Sequence, residues 1–590
     1  MHIRLAHRCR TALLALLVGP WAAANAEPPV AGLIVRLKAS APHEAAARPA
    51  AESARREAER WQRVLAVLGP EAPAATRRAV GRDQHRLDFG RPLGADEARR
   101  LAARLAERPE VAWAEPNTLE PLLQTAPPQV PPGDPMWPGQ WWTLPNAGTN
   151  GNAPADRRRG VPGVLSAWQS GIAGATDGAA IAVLDTGITD HPELAGRLLP
   201  GHDFVADAAY ANDDTGRDTD PHDNGDWIDE RDQAKSYFAG CARAASSWHG
   251  TIVAGQIAAA ANNAAGIAGL QWTGKVLPVR VAGKCGAAVS DIVDGMRWAA
   301  GLYVDGVPRN EHPARVVNIS FGGTAACGMA YQQAVDELRI LGVVVVAAAG
   351  NAGASVSRPA NCQGVVGVAA LNRDGFKTTY SSFGGELAAS GIATVGGDNA
   401  AGAWGAALQD GGLLSTWNTG ATFPGAPGYA NVFGTSFAAP LVAGTAALML
   451  GVNPRLGVDE LVRGLRLSAR PHVVSPWMAA CSAGNPGRCL CSTATCGAGI
   501  LDTEQALRFA AAPDSYVAPA RQPEAIDTPE LRDAAALGPD VAVSSGAPAD
   551  GGGGALAPFW VLCLALAVAV LRRITAAPRT PRTAGPGPAA

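Results

Sequence analysis

Three side chains far apart in the chain carry the functional groups of a charge-relay site. Asp185 closes the apolar run "AAIAVLD", His249 stands in "SSWHGTIVAGQIA", and Ser436 in "VFGTSFAAPLVAGTAALML". A serine hydroxyl is a weak nucleophile and needs a base; an imidazole titrating near neutrality can take its proton. A buried carboxylate then fixes the imidazole tautomer and stabilises the imidazolium. Singly, each residue has a plainer role: serine caps helices, aspartate ends strands at turns, and a lone histidine is commonly structural. The neighbours shift that balance. Gly250, Thr251, Ala254 and Gly255 follow the histidine, and Gly434, Thr435, Ala438 and Ala439 surround the serine. Side chains this small let helices pack closely beneath a site and leave room for a substrate backbone.

Such a site needs rigid elements behind it. From about residue 161 to 510, runs such as "AAIAVLD", "ARVVNISF" (Ala314 to Phe321) and "GVVVVAAAG" (Gly342 to Gly350) are apolar at nearly every position. That pattern suits strands buried on both faces, as in a parallel sheet. Helical stretches such as "MAYQQAVDELRILG" alternate with them, which predicts βαβ units and an α/β fold. The order Asp, His, Ser is the subtilisin order, and G-T-S-F-A lacks the G-x-S-x-G elbow of α/β-hydrolases.

On "VLDTGI", "HGTIVAG" and "GTSFAAP" the chain resembles the subtilisin-like serine peptidases over roughly residues 135–510, with Phe437 where the family usually has Met. The resemblance implies a three-layer fold with a mainly parallel sheet between helices, and hydrolysis of protein or peptide substrates. It makes Asn351 in "VVAAAGNAG" the oxyanion-hole donor, with the Ser436 N–H as the second. In subtilisin itself, loss of such a side-chain donor costs on the order of 10²–10³ in rate. It also makes Ser320, Phe321, Gly322 and Gly323 ("SFGG") an edge strand that pairs with an extended substrate. Ala349 and Gly350 flank the pocket for the side chain before the scissile bond. Gly322 and Gly350 are expected to leave that pocket open, and no acidic residue stands there, which points to broad specificity with apolar or large side chains.

Residues 30–119 read as a small α+β unit: strand "VAGLIVRLK", helix "ADEARRLAARLAERPE", strand "VAWAEP" stopped by proline. They resemble the inhibitor-I9-type propeptide of subtilases, which implies a domain that assists folding and blocks the cleft until self-cleavage. Residues 120–160 are rich in Pro and Gly and read as a linker. Cleavage is expected between about Glu120 and Asp134, and "DPMWPGQWWTLPN" resembles a mature N-terminal segment. Calcium enters here too. Asp213, Asp214, Asp218, Asp220, Asp223 and Asp226 lie within 14 positions, and carboxylates so crowded need a counter-ion such as Ca²⁺, though the spacing is not that of an EF-hand. A second Ca²⁺ candidate, "ANNAAGIAG", resembles the family's tight calcium loop shifted by one residue, with Glu193 and Asn263 supplying oxygens.

The whole chain has 590 residues, room for three or four units at roughly 150 each. A net charge of -3 without a basic cluster argues against nucleic acid as a partner. Residues 1–26, ending "ANA", read as a secretory signal peptide. Ten cysteines are present; setting aside Cys9 in the leader and Cys563 in the tail leaves eight. In an oxidising compartment these read as disulfides, with about 105 possible pairings. Cys481, Cys489, Cys491 and Cys496 could resemble a zinc cluster, but no histidine lies among them. Residues 511–550 read as a flexible spacer.

Residues 551–573, "GGGGALAPFWVLCLALAVAVLRR", hold 17 uncharged positions from Ala555 to Leu571 before an arginine pair. As a helix they span about 25 Å against a hydrocarbon core of about 30 Å. The stretch resembles the GlyGly-CTERM sorting tails of Gram-negative exported proteins, which a rhomboid-type protease cuts, although residues 574–590 extend beyond the usual end. The expectation is a secreted enzyme anchored transiently in the inner membrane. Two other readings share the motifs: an inactive binding module of the same fold, and a membrane-tethered processing protease of narrow specificity.

Overall fold

A computed structural model describes residues 32–38, 50–80, 84–91, 93–117, 130–146, 157–398, 404–405 and 407–538. The expected leader, most of the processing stretch and the sorting tail lie outside the described residues. Contacts divide the chain into two units, Met1–Pro127 and Pro128–Ala590.

In the first unit, β1 (Leu33–Leu37), α1 (Ala50–Leu65), β2 (Thr76–Val80), β3 (Gln84–Asp88), α2 (Ala95–Ala106) and β4 (Val111–Pro116) follow in order. The strands form an antiparallel sheet in the order β2-β3-β1-β4. Leu33 and Val35 of β1 pack with Trp61 and Val64 of α1 and Leu101 and Leu105 of α2. The three predicted elements are present. Helix α1 and the β2–β3 hairpin are additions, hidden by a charge-rich sequence whose few apolar residues fall on one face.

The second unit is built on a seven-stranded sheet: β5 (Ile181–Asp185), β6 (His202–Asp203), β7 (Val276–Arg280), β8 (Val316–Ile319), β9 (Val344–Ala348), β10 (Val366–Leu371) and β11 (Ile392–Val395). The order is β11-β10-β9-β8-β5-β7-β6, every pair parallel. Alternate residues feed two cores. Ile181, Val183, Val316, Val344 and Val346 face one, with α3 (His249–Ala258). Ala182, Leu184, Val317, Ile319 and Val345 face the other, with α4 (Val289–Ala299) and α5 (Met329–Ile340). This is why the strands are apolar at every position rather than alternately. A hairpin of β12 (Leu413–Asn418) and β13 (Pro427–Val432) leads into α6 (Thr435–Val452). Helix α6 is apolar enough to cross a membrane by composition, yet 89% of that window is buried in the first core. A helix apolar all round belongs inside.

All eight cysteines of the described residues pair: Cys241–Cys285, Cys327–Cys362, Cys481–Cys489 and Cys491–Cys496. The disulfide reading holds and the zinc reading falls, because each thiol already has its partner. One segment assignment changes and one is refined. Gln140 and Trp142, in the stretch expected to begin the mature chain, are fully buried, so residues 130–146 belong partly to the core. Within the expected spacer, the chain continues past α7 (Thr503–Ala511) to α8 (Pro529–Ala536), burying Ile526, Leu531 and Ala534. Residues 513–538 are therefore part of the folded unit, held by apolar anchors too sparse to show a period.

Candidate active site

Asp185 ends β5, and its carboxylate Oδ1 accepts the following N–H, from Thr186, at 2.8 Å. The same oxygen lies 2.8 Å from Nδ1 of His249. A carboxylate only accepts, so Nδ1 carries the proton and Nε2 presents its lone pair. Nε2 has no hydrogen-bond partner among the described residues. His249 opens α3, and the turn before it is unusual: Trp248 is left-handed at φ 52°. A buried indole in that conformation must be held, and its N–H donates to the Gly420 carbonyl at 2.7 Å. Gly250 then presses against β5, where a Cβ would overlap the Gly187 carbonyl and crowd Asp185.

Ser436 stands in the first turn of α6, and the Phe437 ring lies 5.3 Å from the His249 ring. Gln256 of α3 donates to the Phe437 carbonyl at 3.2 Å, which ties the histidine helix to the serine helix. Asn351 follows β9 and is exposed. Its Oδ1 accepts from the Thr435 N–H at 2.9 Å and the Thr435 hydroxyl at 2.8 Å. With the oxygen so engaged, the Nδ2 amide is the end left to donate, one residue from Ser436. The four residues singled out for chemistry thus come together at the carboxyl ends of β5 and β9 and at two helix starts.

Two further carboxylates stand behind the histidine. Asp223 accepts the Thr186 hydroxyl at 2.6 Å, and that hydroxyl accepts the Gly250 N–H at 3.1 Å. Asp226 accepts the Ser247 N–H at 2.6 Å and its hydroxyl at 2.7 Å. Burial, then repulsion from Asp226, pushes Asp223 up to about 7. Burial also raises Asp226, against its bonds from Ser247. For His249, burial favours the neutral ring. The Asp185 charge and hydrogen bond, with Asp226 and Asp223 beyond, outweigh burial and raise its pKa above the ordinary value.

The expected substrate strand Ser320–Gly323 is not a regular strand: β8 ends at Ile319, and only Gly323 forms an isolated bridge, to Arg358. Asn318 donates to the buried Ser320 hydroxyl at 2.8 Å. Phe321 is half-buried, and Gly323 already pairs with Arg358 through bonds of 3.1 and 2.9 Å. A Cβ at Gly322 would overlap the Arg358 carbonyl, and one at Gly350 would overlap the Ser357 hydroxyl. These glycines admit the Ser357–Arg358 segment rather than leave open space, a correction to the expectation. Buried Ala349 accepts the Ser357 N–H at 2.8 Å. Ser357 and Arg358 therefore close the region between the two strands. Neither was foreseen, since nothing in "SVSRPAN" marks them apart from a loop.

Most carboxylates of the two calcium candidates already carry hydrogen bonds. Asp213 accepts from Thr215 and bonds Arg280 at 2.6 Å; burial would raise its carboxyl, but these bonds hold it below the usual range. Asp218 accepts the Asp220 N–H and the Thr215 hydroxyl, Asp220 accepts the His222 N–H, and Asp214 is exposed. With Asp223 and Asp226 turned toward the histidine, the six do not share a cage. Glu193 accepts from the Tyr429 hydroxyl at 2.8 Å and the Asn263 amide at 3.3 Å. The Asn263 oxygen instead accepts the Ala265 N–H at 2.8 Å. Among the described residues no three His, Cys, Asp or Glu side chains gather as a metal site. Calcium at either place stays what the family resemblance implies, and no side-chain cage carries it among the described residues.

The chain is similar to known proteases. The subtilase family model matches residues 176–488. An extracellular protease of Xanthomonas campestris pv. campestris is 37% identical over 437 residues, 74% of this chain and 65% of the relative. An extracellular basic protease of Dichelobacter nodosus is 37% identical over 365 residues, 61% of this chain and 54% of the relative. The chain thus spans less than two thirds of either. A solved protease structure from Pseudoalteromonas arctica PAMC 21717 matches with a TM-score of 0.54 at 37% identity, covering 64% of this chain and 99% of that one.

Proposed function

The chain belongs to the subtilase family, and on that premise we propose that it is a secreted serine endopeptidase working through an acyl-enzyme. The observation that carries this reading is the buried Asp185–His249 pair, with Nε2 unpartnered beside the serine helix. Nε2 takes the Ser436 proton as the hydroxyl oxygen attacks the scissile carbonyl. The oxyanion is met by the Asn351 amide and the first-turn N–H of Ser436. His249 returns the proton to the leaving amine, and water repeats the sequence to release the acyl group. The substrate lies extended along Ser320–Gly322. No step is routed through calcium.

Maturation and export belong to the same reading. The first unit, with a core of its own, acts as an inhibitory propeptide removed by self-cleavage. Two relatives are named extracellular proteases, which supports export here. The tail at 551–573 then serves as a transient inner-membrane anchor cut by a rhomboid-type protease. Casein hydrolysis by the processed protein, abolished in Ser436→Ala, is the expected result. Processed wild type without hydrolysis would favour the inactive binding module. Finding Phe559 to Leu571 in the released form by intact mass would remove the sorting step.

A further inference from the structure

The edge on which substrate lies owes its position to a crosslink that the catalytic residues do not use. Past Ile319 the chain leaves β8, and Ser320–Gly323 continues with a single bridge, from Gly323 to Arg358. Thr324, Ala325 and Ala326 follow, all exposed, before α5 begins at Met329. No buried apolar side chain anchors those three residues.

What fixes the stretch is a row of ties to the segment from Val356 to Gln363. Gly323 and Arg358 exchange backbone bonds of 3.1 and 2.9 Å. The Asn361 amide donates to the carbonyls of Ala325 and Val356, both at 3.1 Å. Cys327 is joined to Cys362, which is buried in the second core. Gln332 of α5 exchanges bonds of 3.0 and 2.9 Å with the backbone of Gln363. The same segment is bonded on its other side to the end of β9. There the Ser357 N–H donates to the Ala349 carbonyl at 2.8 Å. The next residue, Gly350, donates its N–H to the Thr435 hydroxyl at 3.1 Å, one residue from Ser436. Ser357 and Arg358 thus space the substrate edge from the turn that carries Asn351. Of these ties only the disulfide is covalent, and exposed hydrogen bonds compete with water.

We propose that the Cys327–Cys362 disulfide is a positioning crosslink for substrate: it holds the Ser320–Gly322 edge at a fixed spacing from Asn351, so that an extended peptide docks on a rigid edge. This rests on the peptidase reading. A peptide added beside such an edge binds through main-chain hydrogen bonds, which need the edge already in place. Without the crosslink, the stretch after Gly323 is held by hydrogen bonds alone, and the edge has to be ordered each time a peptide binds. Ordering even one backbone residue on binding lowers affinity roughly tenfold. A crosslink that only constrained the unfolded chain would leave peptide binding by the folded enzyme untouched.

The test uses the processed enzyme and the double variant Cys327→Ala/Cys362→Ala, in which the other three disulfides remain. Peptides lengthened one residue at a time on the amino side of the scissile bond give kcat and KM separately, and a small acyl ester reports the triad alone. In the double variant KM should rise roughly tenfold for peptides long enough to reach Ser320–Gly322, with kcat and ester hydrolysis near wild type. Asn361→Ala keeps the disulfide and removes a neighbouring tie, so KM should move the same way by less. A wild-type KM for the longest peptide in the double variant overturns the crosslink's role, as does ester hydrolysis that falls as far as peptide hydrolysis. Should the double variant not fold, an unmoved KM in Asn361→Ala overturns it instead. A wild type that cleaves neither peptide nor ester overturns the peptidase reading itself.

Discussion

Gly250 sets how closely the histidine helix approaches Asp185, because only a hydrogen fits against the Gly187 carbonyl. Gly250→Ala should push α3 outward and lengthen the 2.8 Å Asp–His bond. A displacement near 1 Å costs about 10²-fold in rate, so kcat should drop by that order while the circular dichroism spectrum stays native. Asn351→Ala removes a donor whose oxygen end is already committed to Thr435. Its loss should lower kcat by about 10²–10³ with little change in KM, measured on one peptide substrate. The histidine supplies a pH prediction. His249 must be neutral to accept the serine proton, so activity is lost as pH falls through its pKa. Its raised pKa places the acid limb of kcat/KM above the ordinary value of about 6.5. Asp226→Asn removes one of the charges that raise it, so the limb should move to lower pH. A limb that stays in place would mean that Asp226 acts only as a brace for Ser247. At this scale the four side chains proposed to react could be picked out of the sequence, because polar groups in a setting of Gly, Ala and Thr stand out. Asp223 and Asp226 were not, since an aspartate that braces a histidine loop looks in sequence like one that binds a cation.

Among the elements, β5, β7 and β6 depend on one buried cation. Arg280 ends β7 with 1% of its side chain exposed, between Asp203 of β6 and Asp213. It also donates to the carbonyls of Thr186 and Ala211. The guanidinium therefore links the residue after Asp185 to the sheet edge and to the aspartate-rich loop. Replacing it with Met would fill the space but leave two carboxylates facing each other without a counter-charge. Breaking a buried pair in this way costs about 3–5 kcal/mol, so Arg280→Met should show a clearly lower urea midpoint than wild type. An unchanged midpoint would mean that the loop carboxylates find solvent instead. The central strands were readable from their unbroken apolar runs, which two packed faces demand. The two-residue β6 was not, because its pairing is dictated by Arg280 on its neighbour rather than by its own residues.

On the scale of the whole molecule, the chain beyond α7 decides where the catalytic unit ends. Composition alone assigned residues 511–550 to a spacer, since apolar residues are few there and show no period. The structure places residues 513–538 against the second core through Ile526 and Leu531, at 3% and 0% exposure. Their docking depends on partners far back in the chain: Glu530 with Arg157 at 2.8 Å, and Glu524 with Arg159. Val474 pairs with Ala525, and Asp527 accepts the Trp477 indole N–H at 2.7 Å. The segment thus fastens the region just before α7 to the start of the catalytic unit, on the opposite core from the serine helix. Burying two aliphatic side chains is worth about 1.5–3 kcal/mol each. A chain ending at Ala512 should therefore lose at least about 3 kcal/mol and inactivate faster on heating. At 25 °C its kcat should match wild type, because none of these contacts touches Asp185, His249, Asn351 or Ser436. Urea unfolding and residual activity after timed heating measure the two effects separately. Equal midpoints would mean that the segment lies on the unit without supporting it. A fall in kcat at 25 °C would mean that the second core transmits strain across the sheet to the site.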